Sequence, residues 1–259
     1  MSYFVRLLSK NYFSLIRKLI LHFALKISGY KNFGNFQNTG EEFIIDFITS
    51  NNIKNCLDIG SHSGSFSEKL LEKKNIKVIA FEAMKENFEK LKKLEKNYQN
   101  FHCFNIALSN KKGITNIYFT NAKSQLSSIE IDLKNINFLK NRKIKKKKIK
   151  TNTLDNFVKN NKYLFSQKID FVKIDTEGHD YKILVGAKKF IENNKPKFIQ
   201  IEMNYHYLFA GENLYQFKKL LVNYEIYQIM PFNNGLNKID ATRPENNIFH
   251  LSNFLFIRK

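Results

Sequence analysis

The chain has 259 residues, of which 43% are hydrophobic and 25% charged, a balance that excludes a disordered chain and a bundle of membrane helices. Its length suffices for one α/β domain with a large core and a short appendage. The net charge of +20 accompanies an abundance of Lys, Asn and Ile, so we attribute it to compositional bias, which disfavours a nucleic-acid partner. Cys56 and Cys103 lie in separate apolar runs, which excludes a disulfide framework and a C-x-x-C metal site.

The first 30 residues are predicted to form a basic amphipathic arm. Charges interrupt every stretch long enough to cross a bilayer, and the features of a signal peptide are missing. Two interpretations stay open: a cytoplasmic protein in peripheral contact with the inner face of a membrane, or an arm packed against its own domain or a second subunit. The apolar residues at helical spacing are Phe13, Ile16, Leu19, Ile20, Phe23, Ala24 and Ile27, with Arg17, Lys18, His22 and Lys26 largely on the other side.

A linker is predicted over residues 31–40, and a single domain over residues 41–259. The domain opens with a helix over 41–50, a strand over 55–59 that contains Asp58, and a turn that runs from Gly60 to Gly64.

A helix over 65–74 and a second apolar strand over 78–82 follow this turn. The strand ends in Glu82, about twenty residues past the glycines, where a carboxylate can accept both hydroxyls of a ribose. The arrangement predicts a site for a ribose-bearing cofactor, and an ordinary strand-to-helix turn is the alternative.

The spacing of the glycines separates two classes of cofactor. A dinucleotide needs G-x-G-x-x-G so that its pyrophosphate can lie against bare backbone, whereas the middle position here is His62. S-adenosylmethionine carries no phosphate and tolerates this side chain, and Asp58 can meet the ammonium of its methionine end. The spacing therefore favours a methyltransferase over a dehydrogenase.

The middle of the chain is predicted to alternate strands and turns around one polar loop, residues 121–128. The basic run over 140–150 is interpreted either as a lysine-guarded edge strand or as a contact for an anionic partner. The predicted elements here are a helix over 85–97, a strand over 101–107, and extended segments over 114–120 and 144–153.

A second group of polar residues follows. One strand ends in Asp175 and breaks at Thr176-Glu177-Gly178, and the next strand carries Glu202. Strands that alternate with helices form parallel sheets, in which ligands bind at the carboxyl ends of the strands. We therefore expect Asp58, Glu82, Asp175 and Glu202 to converge. The predicted elements are a strand over 169–175, a helix over 179–192 and strands over 197–203 and 253–257.

From about residue 41 to residue 257 the chain resembles the FkbM family of S-adenosylmethionine-dependent methyltransferases. His62 stands where the family usually has Asn, and Ala83 where it commonly has Pro. The resemblance implies an α/β, Rossmann-like seven-stranded methyltransferase sheet, mostly parallel with the last strand antiparallel and helices on both faces. It also implies S-adenosylmethionine as cofactor. The segments that carry it are 57–64, 80–82, 106–113, 153–155 with 169–180 and 185–187, and the last strand, 253–257.

The residues and the resemblance together predict the site. Asp175 is predicted to be the base or to hold the cofactor ammonium, and Glu177 to orient the acceptor or cap a helix. His179 and His206 are alternative bases. The predicted cofactor-binding residues are Asp58, Gly60, Ser61, His62, Gly64, Glu82, Ala83, Asn105, Ile106 and Ala107, and the predicted acceptor contacts are Ser124, Ser127, Glu202 and His206.

The resemblance implies O-methylation of a hydroxyl on a sugar, a glycan or a natural product. Two alternatives stay open: a non-catalytic binding protein with a retained cofactor pocket, and a nucleic-acid methyltransferase that uses the basic surface. Asp175 and Glu202 are carboxylates of the kind that Mg²⁺ prefers, but two acids do not make a ligand set, so no metal is predicted.

Overall fold

The computed structural model describes residues 2–73, 75–120, 127–129 and 143–259. Ser124, a predicted acceptor contact, lies outside these ranges. So do residues 140–142 at the start of the basic run and the last residue of the helix predicted over 65–74.

Strands β1, β2, β3, β8 and β9 run parallel in a central sheet of eight strands, with the order β11-β10-β12-β9-β8-β1-β2-β3. The strands of the described residues are β1 (Asn55–Ile59), β2 (Lys77–Phe81), β3 (Phe101–Phe104), β4 (Ala107–Leu108), β5 (Gly113–Phe119), β6 (Ser127–Ser128), β7 (Lys145–Asn152), β8 (Phe171–Ile174), β9 (Phe198–Met203), β10 (Tyr224–Ile229), β11 (Leu236–Lys238) and β12 (Ser252–Arg258).

The mostly parallel sheet with an antiparallel last strand is confirmed, because β12 lies antiparallel between β9 and β10. The predicted number of seven strands is wrong. The three residues of β11 pair antiparallel with β10 and add an eighth strand at the edge. A run this short carries no alternation of polar and apolar residues that could have indicated a strand.

Helices cover both faces of the sheet, as predicted. Leu57 and Ile59 of β1 pack on one face with side chains of α7, α8, α9 and α11, and Cys56 packs on the other with side chains of α4, α5 and α6. The helices are α1 (Ser2–Leu8), α2 (Ser14–Ile27), α3 (Phe36–Thr39), α4 (Glu41–Ser50), α5 (Ser65–Leu71), α6 (Lys85–Asn97), α7 (Leu154–Asn160), α8 (Asp180–Val185), α9 (Lys188–Asn194), α10 (His206–Ala210) and α11 (Leu214–Leu220).

A smaller sheet with the order β4-β7-β5-β6 packs beside the central one. The extended segments predicted over 114–120 and 144–153 are confirmed as the antiparallel pair β5 and β7. The strand predicted over 101–107 is wrong in extent, because β3 ends at Phe104 and Ala107 begins β4 in the smaller sheet.

The single helix predicted over 179–192 is also wrong, because α8 ends at Val185 and α9 begins at Lys188. The break is at Gly186, where an added Cβ would lie 2.0 Å from the Ser109 carbonyl oxygen. Apolar side chains on both helices pack into the same core, so the helical spacing continues across the break and hides it from the sequence.

The segment predicted as a linker, residues 31–40, contains α3 and lies against β12. The Lys31 N–H donates to the Leu251 carbonyl at 2.9 Å, and Asn253 Nδ2 donates to the Thr39 carbonyl at 3.2 Å. Before it, the arm comprises α1, a 3-10 turn over Asn11–Phe13, and α2. In the part of the chain that the structure describes, no helix has the length and apolar character needed to cross a membrane.

Candidate functional site

A cavity of about 400 Å³ opens at the carboxyl ends of β1, β2, β8 and β9, a volume within the range of small-molecule sites. Glu82, Asp175 and Glu202 line it. Three of the four acids predicted to converge therefore meet at one cavity, as expected for the carboxyl edge of a parallel sheet.

The turn after β1 passes close to the end of β8. Gly60 has a φ of +84°, and a Cβ at this position would lie 1.9 Å from the Asp175 carbonyl oxygen. Its N–H donates to the Phe81 carbonyl at 2.9 Å, and the Ser61 N–H donates to the same oxygen at 3.1 Å. Only glycine fits this conformation and this contact, so Gly60 lets the turn pack against the end of β8, and it also lines the cavity.

Glu82 is held by the backbone of two neighbouring turns. Its carboxylate accepts the His62 N–H at 2.9 Å and the Met84 N–H at 2.7 Å. Burial raises the pKa of Glu82 to about 7, against the opposing effect of these two donors. His62 also lines the cavity, and its positive φ of +48° aims its N–H at Glu82.

The wall beside Glu82 is apolar. Asn105 supports it from outside the cavity, because its Nδ2 donates to the carbonyls of Glu82 and Ala83 at 2.9 and 3.2 Å. A hydrophobic wall next to a buried carboxylate suits a flat base attached to a ribose. The apolar residues that line it are Ala83, Ile106, Ala107, Leu108, Ile117 and Ile129.

Lys173 fixes the carboxylate of Asp175. This lysine is 5% exposed, and its Nζ lies 2.7 Å from Asp175 Oδ2 and 3.3 Å from Glu41 Oε1. Burial lowers the pKa of Lys173, but the carboxylates of Asp175, Glu41 and Asp58 outweigh it and hold the pKa well above its ordinary value. A charged lysine thus joins the end of β8 to the start of α4.

Glu177 occupies a left-handed position with a φ of +54°. Its Oε2 accepts a hydrogen bond from Asn204 Nδ2 at 2.7 Å and lies 2.8 Å from His206 Nδ1. Burial raises the pKa of Glu177, while His206 and Asn204 act against it. A Cβ on Gly178 would lie 2.7 Å from His206 Cβ, so this glycine permits the close approach of α10.

His206 itself is fully buried behind Glu177. Its prediction as an acceptor contact and alternative base is wrong, because its ring contacts Glu177 and has no exposed surface. The other alternative base, His179, does line the cavity, and its Nε2 lies 3.0 Å from Ser109 Oγ.

Several predicted cofactor residues shape the turn from behind the cavity wall. Asp58 is 1% exposed, its Oδ2 accepts the Ser67 hydroxyl at 2.6 Å, and burial raises its pKa. Asp58 therefore lies behind the cavity wall and does not line the cavity. Ser61 Oγ donates to the Phe81 carbonyl, and a Cβ on Gly64 would clash with Leu91. Both residues therefore stabilise the conformation of the turn.

The sequence reasoning missed a set of residues that come from distant parts of the chain. Phe33, Thr39 and Glu41 line the cavity from the segment before β1. His250 and Leu251 line it from the residues before β12. No local sequence pattern indicates that either group would line a cavity. Of the predicted acceptor contacts, Glu202 lines the cavity and Ser127 lies in β6. The hydroxyl of the neighbouring Ser128, which belongs to the same predicted polar loop, donates to the Glu177 carbonyl at 3.0 Å.

The turn that carries Glu177 is tied down by Asp180. The Asp180 carboxylate is fully buried and accepts the Thr176 N–H, the Thr176 hydroxyl and the Tyr207 hydroxyl, the last at 2.6 Å. Burial raises the pKa of Asp180 to about 8. The folded chain therefore holds a proton on this group more tightly than the unfolded chain, whose value is near 3.8.

This difference predicts a pH-dependent stability. The contribution of Asp180 to the free energy of unfolding is fully present below pH 3.8 and is lost as the pH rises to about 8. We expect Asp180→Asn to gain stability relative to the wild type by up to about 1.4 kcal/mol per pH unit within this window. Urea unfolding of both proteins at several pH values measures it, and a pH-independent difference would contradict it.

The residues of the cavity fit S-adenosylmethionine. Glu82 would hold the ribose hydroxyls, the apolar wall around Ile106 would cover the base, and Gly60 lines the cavity with them. Asp175 and Glu202 supply carboxylates for the positive end of the cofactor. Among the described residues, no group of three or more His, Cys, Asp or Glu side chains is arranged to hold a metal ion.

Comparison with known proteins also indicates a methyltransferase. Residues 58–235 match the model of the Methyltransferase FkbM domain. The crystal structure of methyltransferase FkbM from Methylobacillus flagellatus aligns with a TM-score of 0.50 and 14% identity, over 79% of this chain and 44% of that one. The O-methyltransferase from Bacillus cereus in complex with SAH aligns with a TM-score of 0.46 and 10% identity, over 100% and 96% of the two chains. None of the curated proteins compared with the chain matches it.

The first of these structures shares the fold, and this chain spans 44% of its length. The family model extends from Asp58 to Gly235 and so includes the turn after β1, Glu82 and the end of β8. The chain therefore belongs to the FkbM family of methyltransferases, and S-adenosylmethionine is its cofactor.

Proposed function

We propose that the protein transfers a methyl group from S-adenosylmethionine to a hydroxyl of a sugar, a glycan or a natural product. The observation that carries this proposal is the position of Asp175, Glu177 and Glu202 on the wall of the cavity that also contains Glu82 and Gly60. Carboxylates accept hydrogen bonds from hydroxyl groups and can take their protons.

When bound, the cofactor supplies a methyl group on a positively charged sulfur. The chain must then align an acceptor oxygen and remove its proton. Asp175 is held in one orientation by Lys173, and Glu177 by Asn204 and His206. We propose that Asp175 or Glu177 acts as the base and that the other orients the hydroxyl.

The charge of the cavity favours neutral acceptors over phosphorylated ones. Glu41, Asp175, Glu177 and Glu202 all line it, and a phosphate near these four carboxylates would be repelled. A nucleic-acid acceptor is disfavoured for the same reason. Tyr205 and Phe33, which also line the cavity, offer rings against which a sugar can pack.

The test is methyl transfer from S-adenosylmethionine with a labelled methyl group to the glycan and small-molecule fractions of cells that make this protein. We expect label on oxygen, as determined by mass spectrometry and NMR of the product. We expect Asp175→Asn or Glu177→Gln to lower the rate by a factor of about 100 or more while the cofactor still binds.

The matched control is Asp46→Asn, since Asp46 is an exposed partner of Lys73 outside the cavity. Transfer at the wild-type rate in both site variants would refute the assignment of the base. Saturable cofactor binding with no transfer to any fraction would instead support the alternative of a non-catalytic binding protein.

We also propose that the protein is cytoplasmic and that it contacts an anionic membrane through its arm. Only Leu25 of α2 is buried, whereas Leu19 and Phe23 are 61% and 67% exposed. The first 40 residues contain six Lys or Arg and no Asp or Glu. An exposed apolar surface with only positive charges suits anionic lipid headgroups, and it disfavours a second copy of the same arm.

The membrane proposal is tested by flotation with vesicles of phosphatidylcholine, alone or mixed with phosphatidylserine. The full chain is expected to float with the anionic vesicles, and Leu19→Asp/Phe23→Asp to bind them on the order of 100-fold more weakly. Val222→Asp is the control, because Val222 is 64% exposed outside the arm. Equal flotation of both variants would refute the proposal, and a change of oligomeric state on substitution would indicate a second copy instead.

A further inference from the structure

The acidic side of the cavity has more carboxylates than the neighbouring lysine can balance. Glu41, Asp175, Glu177 and Glu202 line it, and Lys173 behind them already contacts two of the four. The remaining pair, Glu177 and Glu202, is bridged by a neutral side chain, since Asn204 Nδ2 donates to Glu177 Oε2 at 2.7 Å and to Glu202 Oε1 at 3.2 Å.

Glu202 faces charged groups from every neighbouring element. Asp175 and Glu177 face it from the end of β8, Lys173 from within β8, and Glu41 from the start of α4. Burial has the largest effect on the pKa of Glu202, and together with the carboxylates of Asp175 and Glu177 it raises this pKa well above its ordinary value. The charge of Lys173 opposes them. The pKa of Glu177 is raised as well, with His206 facing it from α10. Without a cation in the cavity, this pair therefore binds a proton more tightly than a solvent-exposed carboxylate does.

We propose that Glu202, together with Glu177, distinguishes the charged methyl donor from the demethylated product by giving up a proton when the donor binds. The inference rests on the proposed function, because it requires the cofactor in this cavity. S-adenosylmethionine carries one positive charge more than S-adenosylhomocysteine, on its sulfur. A cation near the pair favours the carboxylate form, so donor binding must release more protons than product binding.

The released proton gives the pair a role in the reaction. Methyl transfer breaks the S–CH₃ and O–H bonds and forms an O–CH₃ bond, which leaves one proton for the protein to accept. A carboxylate pair that has lost its proton on donor binding can accept it from the hydroxyl. The positive charge on sulfur then disappears, so the protonated pair is again the favoured form, as it was before the donor bound.

Isothermal titration calorimetry in two buffers of different ionisation enthalpy measures the protons released on binding without any acceptor. We expect S-adenosylmethionine to release more protons than S-adenosylhomocysteine, by up to about one per chain. Both ligands carry the same ribose, so any contribution from Glu82 cancels in the difference. The affinity for the donor should rise with pH below the raised pKa of Glu202, by at most about tenfold per pH unit, and then level off.

Glu202→Gln should remove most of the difference between the two ligands, because Gln keeps the acceptor for Asn204 but has no proton to lose. Glu225→Gln should retain it, since Glu225 lies on β10, pairs with Lys238 of β11 and does not line the cavity. Equal proton release by the two ligands in the wild type would overturn the inference alone. The lack of saturable heat with either ligand would overturn the proposed function with it.

Discussion

Gly60→Ala is expected to destabilise the protein by at least about 3 kcal/mol and to abolish cofactor binding. The new Cβ would lie 1.9 Å from the Asp175 carbonyl oxygen, which belongs to the backbone and cannot move aside as a flexible side chain can. Gly60 also has a φ of +84°, which a residue with a Cβ adopts only under strain. The turn must therefore separate from β8, and the cavity between them is lost.

Thermal unfolding and cofactor titration of two alanine variants measure this effect. Gly211→Ala is the matched control, since Gly211 has a φ of +72° and nothing within 4 Å of its added Cβ. It should lose only about 1 kcal/mol for the left-handed backbone and bind the cofactor normally. Gly60→Ala should lower the Tm by roughly 10 °C. Equal stability of the two variants would show that the close approach of the turn to β8 is not needed.

Glu82→Gln is expected to weaken cofactor binding more than 100-fold, because hydrogen bonds to a charged acceptor contribute about 1.5–3 kcal/mol each. The carboxylate is held by the His62 and Met84 N–H groups, so its oxygens are fixed at the cavity wall. A Gln amide would turn its NH₂ group toward one of these N–H donors, which leaves that donor without an acceptor.

The pH dependence of binding separates this role from a general effect on folding. The pKa of Glu82 is about 7, so wild-type affinity should fall as the pH drops below this value and Glu82 becomes protonated. The fall attributable to Glu82 should disappear in Glu82→Gln. Glu86→Gln is the control. Glu86 lies shortly after Glu82 in the chain, and its exposed carboxylate pairs with Lys147. Wild-type affinity in Glu82→Gln would place the ribose elsewhere.

The central strands and their acids were predictable because each signal is local. Strand β2 is buried from Val78 to Phe81, so it appears in the sequence as a continuous apolar run before Glu82. Strand β8 is also buried along its whole length and is apolar except for Lys173. The acid that follows such a strand must lie at the edge of the sheet where ligands bind. The positions of Glu82 and Asp175 follow from this rule alone.

The elements that were predicted incorrectly depend on contacts between residues that are far apart in the sequence. Gly186 breaks a helix because it meets Ser109, which lies 77 positions earlier in the numbering. Glu41 reaches the cavity because α4 begins beside Lys173. Lys173 itself offered a signal that was not used, since a lysine inside a buried strand requires a carboxylate partner. That signal would have predicted the ion pair with Asp175, although not the one with Glu41.

Within the site, Asp58 and Glu202 also show that a local sequence signal does not determine the contacts of a side chain. Both follow or end apolar strands, and both were expected at the cavity. Asp58 instead accepts the Ser67 hydroxyl beneath the turn, while Glu202 reaches the wall. Strand position determines the edge of the sheet on which an acid lies, but the partners of its side chain decide whether it faces the ligand.

Equilibrium dialysis of the wild-type chain against labelled S-adenosylmethionine tests the cofactor cavity most directly. The structure predicts saturable binding of one molecule per chain, displaced by S-adenosylhomocysteine. Binding that does not saturate, or that S-adenosylhomocysteine cannot displace, would contradict the assignment of the cavity between Gly60, Glu82 and Asp175.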